Sequence, residues 1–433
     1  IVPDDSEISQ IPIVISNCNF KHNQINDYSS IYVEPGLQRS IKVISCIFEN
    51  EKGGIVLDDF KNGAEINGNH FLNTQAKSAL IIKHYADSDS DSDKIVITGC
   101  SFDSCTGVDN KCFDIISNTR DFKFENNIIK NNVGTGHANY FGSFDFNKKI
   151  STFEVFNTSF INNVCSSLYG GGIGIQFLGI EQLNFNKCEF KENGAKQDST
   201  KSRPTQNADQ FYYNGDGGAI QLGYICTMNS LNVNFYECNF TNNLAQRHGG
   251  AIAIQTSMIV NIEGCLFESN IANYNFDDSS ADLLTENHFH KKIEGRGGAI
   301  YINPSYTYDD TSLDCKAPDH SIQSVKITNC NFVKNNGFDG YGIYIEGDDI
   351  NVPFTIEKNN FIDNYNKKNY NNDEYQIYGA VITTELTCIK EEQINADNIF
   401  SYSIPQLKVR NISYVDHYGK TPSQGFTKSE AFT

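Results

Sequence analysis

Along most of the chain, apolar residues two positions apart are followed by a two-residue spacer, then Cys-x-Phe, and often Asn three places later. Val325, Ile327, Cys330, Phe332 and Asn335 form one copy. Leu183, Phe185, Cys188, Phe190 and Asn193 form another, as do Val233, Phe235, Cys238, Phe240 and Asn243. Ile13, Ile15, Cys18, Phe20 and Asn23 open the series. Asn can take the place of Cys, since Phe354, Ile356, Asn359, Phe361 and Asn364 keep the register near the end. The Phe position runs Phe20, Phe48, Phe71, Phe102, Ile129, Phe160, Phe190, Phe240, Phe267, Phe332 and Phe361, with Tyr414 as a weaker further copy. Alternation of period two predicts strands, and no stretch carries helical periodicity over a useful length.

A second signal follows each Cys-x-Phe: a small residue, then apolar, any and apolar. Gly54-Ile55-Val56-Leu57, Ala219-Ile220-Gln221-Leu222, Ala251-Ile252-Ala253-Ile254 and Ala299-Ile300-Tyr301-Ile302 carry it. Weaker copies are Ser143-Phe144-Asp145-Phe146, Gly172-Ile173-Gly174-Ile175 and Gly342-Ile343-Tyr344-Ile345. Gly-Gly before the third strand suits a tight corner that residues with a β-carbon turn only at a cost. The Asn after Phe suits a turn in which its amide bonds the backbone of the next coil. Each unit of about 30 residues therefore predicts three short strands, and stacked units predict an all-β fold. The expected fold is a right-handed parallel β-helix, a pectin-lyase-like solenoid of about 11 to 12 coils.

Polar segments between these signals read as loops leaving the coils, near residues 86–94, 195–216, 273–296, 304–321 and 365–376. The division expected is a β-helix over residues 1–384, with a last coil and C-terminal cap over residues 385–433. Residues 385–405 lose the register and read as part of that cap, which an open solenoid end requires.

Composition fits a solenoid, in which each coil buries only its inward side chains: hydrophobic residues make up 39%, Trp is absent, and Phe (30) and Tyr (22) are plentiful. The formal net charge of -19 argues against a nucleic-acid partner or an anionic lipid surface, which call for a clustered positive footprint. No apolar run is long enough for a transmembrane segment, and Ile1-Val2-Pro3-Asp4-Asp5 has neither the basic start nor the apolar stretch of a signal peptide.

Thirteen cysteines would suit a disulfide framework, but Cys18, Cys46, Cys100, Cys188, Cys238, Cys265 and Cys330 share one place in the repeat. Period two turns them the same way as the Phe two residues later, so they read as inward-facing free thiols. With Phe20, Phe190, Phe240, Phe267 and Phe332 they form the expected structural ladder. Cys105, Cys112, Cys165, Cys226, Cys315 and Cys388 lie off that column, and Cys105 with Cys112 could bridge a turn.

Neither a metal site nor a cofactor is expected. Cys105 and Cys112 are too far apart for a zinc pair, and His288-x-His290 reads as a solvated loop pair. The alternating Asp87, Asp89, Asp91 and Asp93 resemble the start of a calcium loop, but Ser92 stands where Gly is needed and Thr98 where a bidentate Glu is needed. Glycoside hydrolysis needs two carboxylates across the sugar. The acidic pairs Asp58-Asp59, Asp277-Asp278, Asp309-Asp310 and Asp348-Asp349 do not supply them on one strand face, because adjacent strand residues face opposite sides. Polygalacturonase motifs are missing as well, with Arg120 after Asn118-Thr119 and Ala138 after Gly136-His137. The balance leans against an enzyme and names no catalytic residue. Asn157, Asn239 and Asn411 stand in glycosylation sequons, which carry little weight in so Asn-rich a chain.

Phe-x-x-Asn occurs from Phe20, Phe160, Phe190, Phe240, Phe267, Phe332 and Phe361, and Gly-Gly-Ala-Ile from Gly217, Gly249 and Gly297. Their alternation over residues 13–385 resembles the repeats of the polymorphic outer membrane proteins of chlamydiae, and of similar large surface proteins in some protists. The resemblance implies a surface-exposed passenger region used in adhesion, and in that family the repeats build the scaffold. This sequence shows no C-terminal membrane barrel after the repeats, a departure from the bacterial pattern. The expectation is an extracellular or cell-surface β-helix, adhesin-like or a recognition scaffold, whose loops meet a glycan or protein partner. Tyr212, Tyr213, Tyr274, Tyr306 and Tyr308 in the three largest loops suit such contact. The alternatives are a structural filament, sheath or coat built from copies of itself, and a polysaccharide lyase or glycoside hydrolase.

Overall fold

The computed structural model describes residues 11–21, 29–35, 37, 39–58, 60, 62–74, 78–84, 94–105, 112–117, 121–134, 142–166, 175–196, 216–222, 231–254, 258–272, 295–302, 324–337, 340–345, 353–364, 382–384, 398–401 and 407–409. All regular elements among them are strands, and the pairs described below are parallel. The chain forms two compact units: Ile1–Cys165 with Ile173–Glu189 and Ile225–Asn234, and Ser166–Gly172 with Phe190–Tyr224 and Phe235–Thr433. Each unit is built as a right-handed parallel β-helix.

In the first unit one face stacks Ile13–Ser16, Ile41–Ile44, Ala64–Asn67, Lys94–Thr98 and Asp121–Glu125. A second face stacks Asn19–Lys21, Ile47–Glu49, His70–Leu72, Ser101–Asp103, Ile128–Lys130 and Ser159–Ile161. The third runs through Ile31–Val33, Ile55–Asp58, Leu80–His84 and Phe113–Ser117 into the start of Gly142–Phe156. That last strand continues to the first face, where Val155 pairs with Phe124, so it crosses the corner without a break.

In the second unit Met258–Glu263, Ser324–Thr328 and Phe354–Glu357 form one face. Asn239–Thr241, Leu266–Glu268, Asn331–Val333, Asn360–Ile362 and Ile399–Ser401 form the next. Ile220–Leu222, Ile252–Ile254, Ile300–Ile302, Ile343–Ile345, Ile382–Thr384 and Leu407–Val409 form the third.

The register puts like on like, and strand spacing then dictates side-chain packing. Phe20, Phe48, Phe71 and Phe102 stack with ring centroids 4.9 Å apart and planes within 9°. Phe190, Phe240, Phe267, Phe332 and Phe361 stack at 4.6–4.8 Å with planes within 11°. Free aromatic pairs prefer offset or edge-on geometry. Here the rings adopt the roughly 4.8 Å separation of neighbouring strands because their backbones are fixed at it.

Two features depart from the sequence reading. In two weak copies of the third strand the register lies two residues from where the motif placed it. Gly142 and Ile175, rather than Phe144 and Ile173, take the column of Phe113. The register also continues beyond residue 385. Phe400 pairs with Phe361 and Asn398 takes the Cys column, so this coil lies inside the segment that read as cap. Tyr414 lies outside the described residues.

Candidate functional site

Each coil makes two turns of one design, one before and one after the strand that carries Phe. In the described coils, a residue with positive φ at each turn is followed by Asn, Cys, Thr or Glu, buried everywhere but at Cys18. Before the Phe the positive-φ residues are Asn17, Ser45, Gly68, Gly99, Asn126, Asn157, Lys187, Glu237, Gly264, Asn329 and Lys358. After it they are Asn50, Asn73, Ser104, Asn131, Asn162, Glu192, Asn242, Ser269, Lys334 and Asp363. Gly and Asn take this conformation at least cost, whereas each Lys or Glu there must be held by its surroundings.

The buried residue that follows ties three coils together. Asn270 accepts the backbone N–H of Asn243 at 3.0 Å and donates its amide to the carbonyl of Phe240 at 2.9 Å. Asn335 does the same for Asn270 and Phe267, and Asn364 for Asn335 and Phe332. Asn132 and Asn163 repeat the pattern in the first unit. The Cys column makes the same bonds. Asn69 accepts the N–H of Cys46 and donates to Val43, and Asn127 serves Cys100 and Ile97 in the same way. Where Cys stands, its thiol donates to the equivalent carbonyl, from Cys100 to Ile66 at 3.4 Å and from Cys188 to Val155 at 3.2 Å. Cys238 N–H donates to the sulfur of Cys265 at 3.4 Å.

Cys46, Cys100, Cys188, Cys238, Cys265 and Cys330 are buried free thiols, while Cys18 in the first described coil is half-buried. Burial pushes Cys100 up to about 11 and raises Cys46, Cys265 and Cys330. Thiolates react and thiols do not, so these side chains serve the scaffold.

Asn157 is exposed and donates its side-chain amide to Asn126 at 2.7 Å, so a glycan there would displace that bond. Asn239 is exposed on its strand. Asn411, the loop Tyr residues, His288, His290, the Asp run and Cys226, Cys315 and Cys388 lie outside the described residues. Of Cys165 only the backbone is described.

A different cluster stands on the outer side of the third face of the second unit, and sequence reasoning missed it. Asp216, His248 and Arg296 each immediately precede a Gly-Gly pair in consecutive coils. The Asp216 carboxylate accepts the backbone N–H of His248 at 3.0 Å and lies 3.7 Å from the Arg247 guanidinium. Arg296 donates its backbone N–H to His248 Nδ1 at 3.2 Å. The His248 ring stacks on Tyr301 at 4.6 Å, and the Arg296 guanidinium lies 4.7 Å over Tyr344. Tyr301 and Tyr344 are in register with Ala253, point away from the coil interior, and are nevertheless buried. Burial, with Arg247 and Arg296 nearby, holds His248 well below the ordinary histidine value, so it is neutral at neutral pH.

This cluster lies where three insertions join the scaffold. Asp216 ends the 195–216 segment, Arg296 ends the 273–296 segment, and Ile302 precedes the 304–321 segment. The constant placement one residue before Gly-Gly was the available signal, but Asp, His and Arg share no residue type.

Among the described residues no group of three or more His, Cys, Asp or Glu side chains is placed to hold a metal ion. No helix among them is long and apolar enough to cross a membrane. No curated protein and no solved structure matches the chain. Residues 237–255 match the model of the Chlamydia polymorphic membrane protein repeat. That segment holds Cys238, Phe240, Asn243, Gly249 and Gly250, so this coil is similar to a repeat of the polymorphic membrane protein type.

Proposed function

We propose that the chain is a non-enzymatic β-helical scaffold of a cell surface or extracellular space that presents its inserted loops to a glycan or protein partner. One observation carries this reading: two of the three insertions end at Asp216 and Arg296 and the third begins just after Ile302, and the Asp216 and His248 side chains bind the backbone of the next coil while His248 and Arg296 lie on the two buried tyrosines. Such a base fixes loop roots at neighbouring positions, and binding residues gather on loops held by a rigid frame. The coil side chains support the same division of labour, since their thiols and amides are engaged in the ladders. The repeat match supports surface placement, because the matched family is one of membrane proteins.

The test is a glycan-array and surface-protein binding screen of the whole chain, repeated with residues 197–215, 273–294 and 303–323 deleted in turn. At least one deletion is expected to abolish a binding signal while β-sheet circular dichroism stays unchanged. Binding that survives all three deletions defeats the proposal.

A further inference from the structure

One corner of the second unit is tied by side chains of its own, apart from the Asn and Cys ladders. Asp216, His248 and Arg296 hold the same place in three consecutive coils, and the first two each accept the backbone N–H of the next. Asp216 does so through its carboxylate at 3.0 Å, and His248 through Nδ1 at 3.2 Å. The backbone runs through the same residues, since the His248 carbonyl accepts the Gly217 N–H at 2.8 Å and the Arg296 carbonyl accepts the Gly249 N–H at 2.9 Å. The Arg296 side chain has no acceptor to extend the column, and its guanidinium lies over Tyr344.

The two side-chain links differ in chemistry. A backbone N–H only donates, so the nitrogen that receives it carries no proton, and the neutral His248 ring keeps its hydrogen on Nε2. Charging the ring adds a hydrogen at Nδ1, aimed at the Arg296 N–H, and that bond is lost outright. Arg247 precedes the ring in its own coil, while Arg296 and Tyr301 meet it from the next, Tyr301 stacking on it at 4.6 Å. From the preceding coil comes Asp216, whose carboxylate already holds the His248 N–H and lies 3.7 Å from the Arg247 guanidinium. An imidazolium would thus form beside two guanidiniums, at a residue 5% exposed. Burial and those two cations act together to keep the ring neutral.

We propose that His248 is an acid-operated catch: by taking up a proton at Nδ1 it releases the Arg296 N–H and opens this corner of the second unit, while the Asn and Cys ladders stay closed. Amides and un-ionised thiols do not titrate in mild acid, so the device is confined to the corner. The opened corner binds the proton at about the ordinary histidine value of 6.5, and the closed corner only at lower pH. The closed form is therefore favoured above that pH and loses ground as pH falls below it. The 273–296 segment ends at Arg296, so acid changes the footing of an insertion. That consequence rests on the function proposed above, whereas the opening of the corner does not.

Hydrogen exchange of the whole chain, read by mass spectrometry at about pH 7 and about pH 5.5 with labelling times scaled to the intrinsic rates, tests the catch without any partner. Peptides holding Gly249, Gly250 and Arg296 should lose protection by roughly tenfold at the lower pH, as one proton taken up requires. Peptides over Asn331–Asn335 in the ladders should keep theirs. His248→Asn supplies a non-titrating acceptor oxygen like that of Asp216 in the preceding coil, and should be equally protected at both pH values. Should that variant not fold, the parent profile stands by itself and His248→Gln repeats the comparison with a longer amide. Unchanged protection of the corner in the parent, an equal loss across the second unit, or an undiminished pH effect in a folded variant overturns the proposal.

Discussion

A buried asparagine costs little when each polar atom finds a partner, and a good deal when one does not. Asn270 illustrates the first case, bonding the coil before it and accepting nothing from solvent. Asn270→Ala leaves the Asn243 N–H and the Phe240 carbonyl without those bonds, and should cost roughly 2–5 kcal/mol in chemical denaturation. Asn359→Cys should cost clearly less than Asn359→Ala, because a thiol already makes the corresponding bond in this column, as Cys188 does to Val155. Equal losses would refute the equivalence of thiol and amide. The interchange of Cys and Asn was legible in the sequence, since both precede Phe by two. Its cause was not, because the partners are carbonyls of another coil. His248 adds a pH dependence: its folded value lies below the ordinary one, so the unfolded chain binds the proton more readily. Stability is therefore full above about pH 6.5 and falls as pH drops below it, by up to roughly 1.4 kcal/mol per pH unit. His248→Gln should flatten the thermal midpoint between pH 6.5 and 5; an unchanged slope would remove His248 from the account.

At the level of turns and strands, glycine has two separate jobs. Gly250 is needed for space, since a β-carbon there would overlap the carbonyl oxygen of Gly298 in the next coil. Gly264 is needed only for its positive φ, and its nearest neighbour would be the Glu237 Cγ at 3.6 Å. Gly250→Ala should therefore destabilise by about 3 kcal/mol or more, whereas Gly264→Asn should stay within about 1 kcal/mol, both read from denaturant midpoints. Gly-Gly was legible as a corner because it precedes an alternating strand. The positive-φ columns were not, because their side chains face outward and Asn, Gly, Ser, Lys, Glu and Asp all occur there. The two-residue offset at Gly142 and Ile175 has a similar origin. Period two fixes which side faces in but leaves registers two apart alike.

Over the whole molecule, the recurrence that made the fold readable also hid its exceptions. Phe361 pairs with Phe400, and Asn398-x-Phe400 repeats the Asn359-x-Phe361 pattern, but the irregular residues around it in 385–405 masked this copy until the ladder bond from Asn359 to Asn398 placed it. The Asp216–His248–Arg296 cluster was hidden for the opposite reason, because three unlike residues become neighbours only when the coils stack. On the function proposed above, stability belongs to the ladders and recognition to the insertions. The most direct test replaces residues 197–215, 273–294 and 303–323 together by short connectors and measures binding to the partner found for the parent chain. The account predicts a cooperative thermal transition with parent-like β-sheet circular dichroism and no detectable binding. A loop-less protein that folds and binds as tightly as its parent would contradict it.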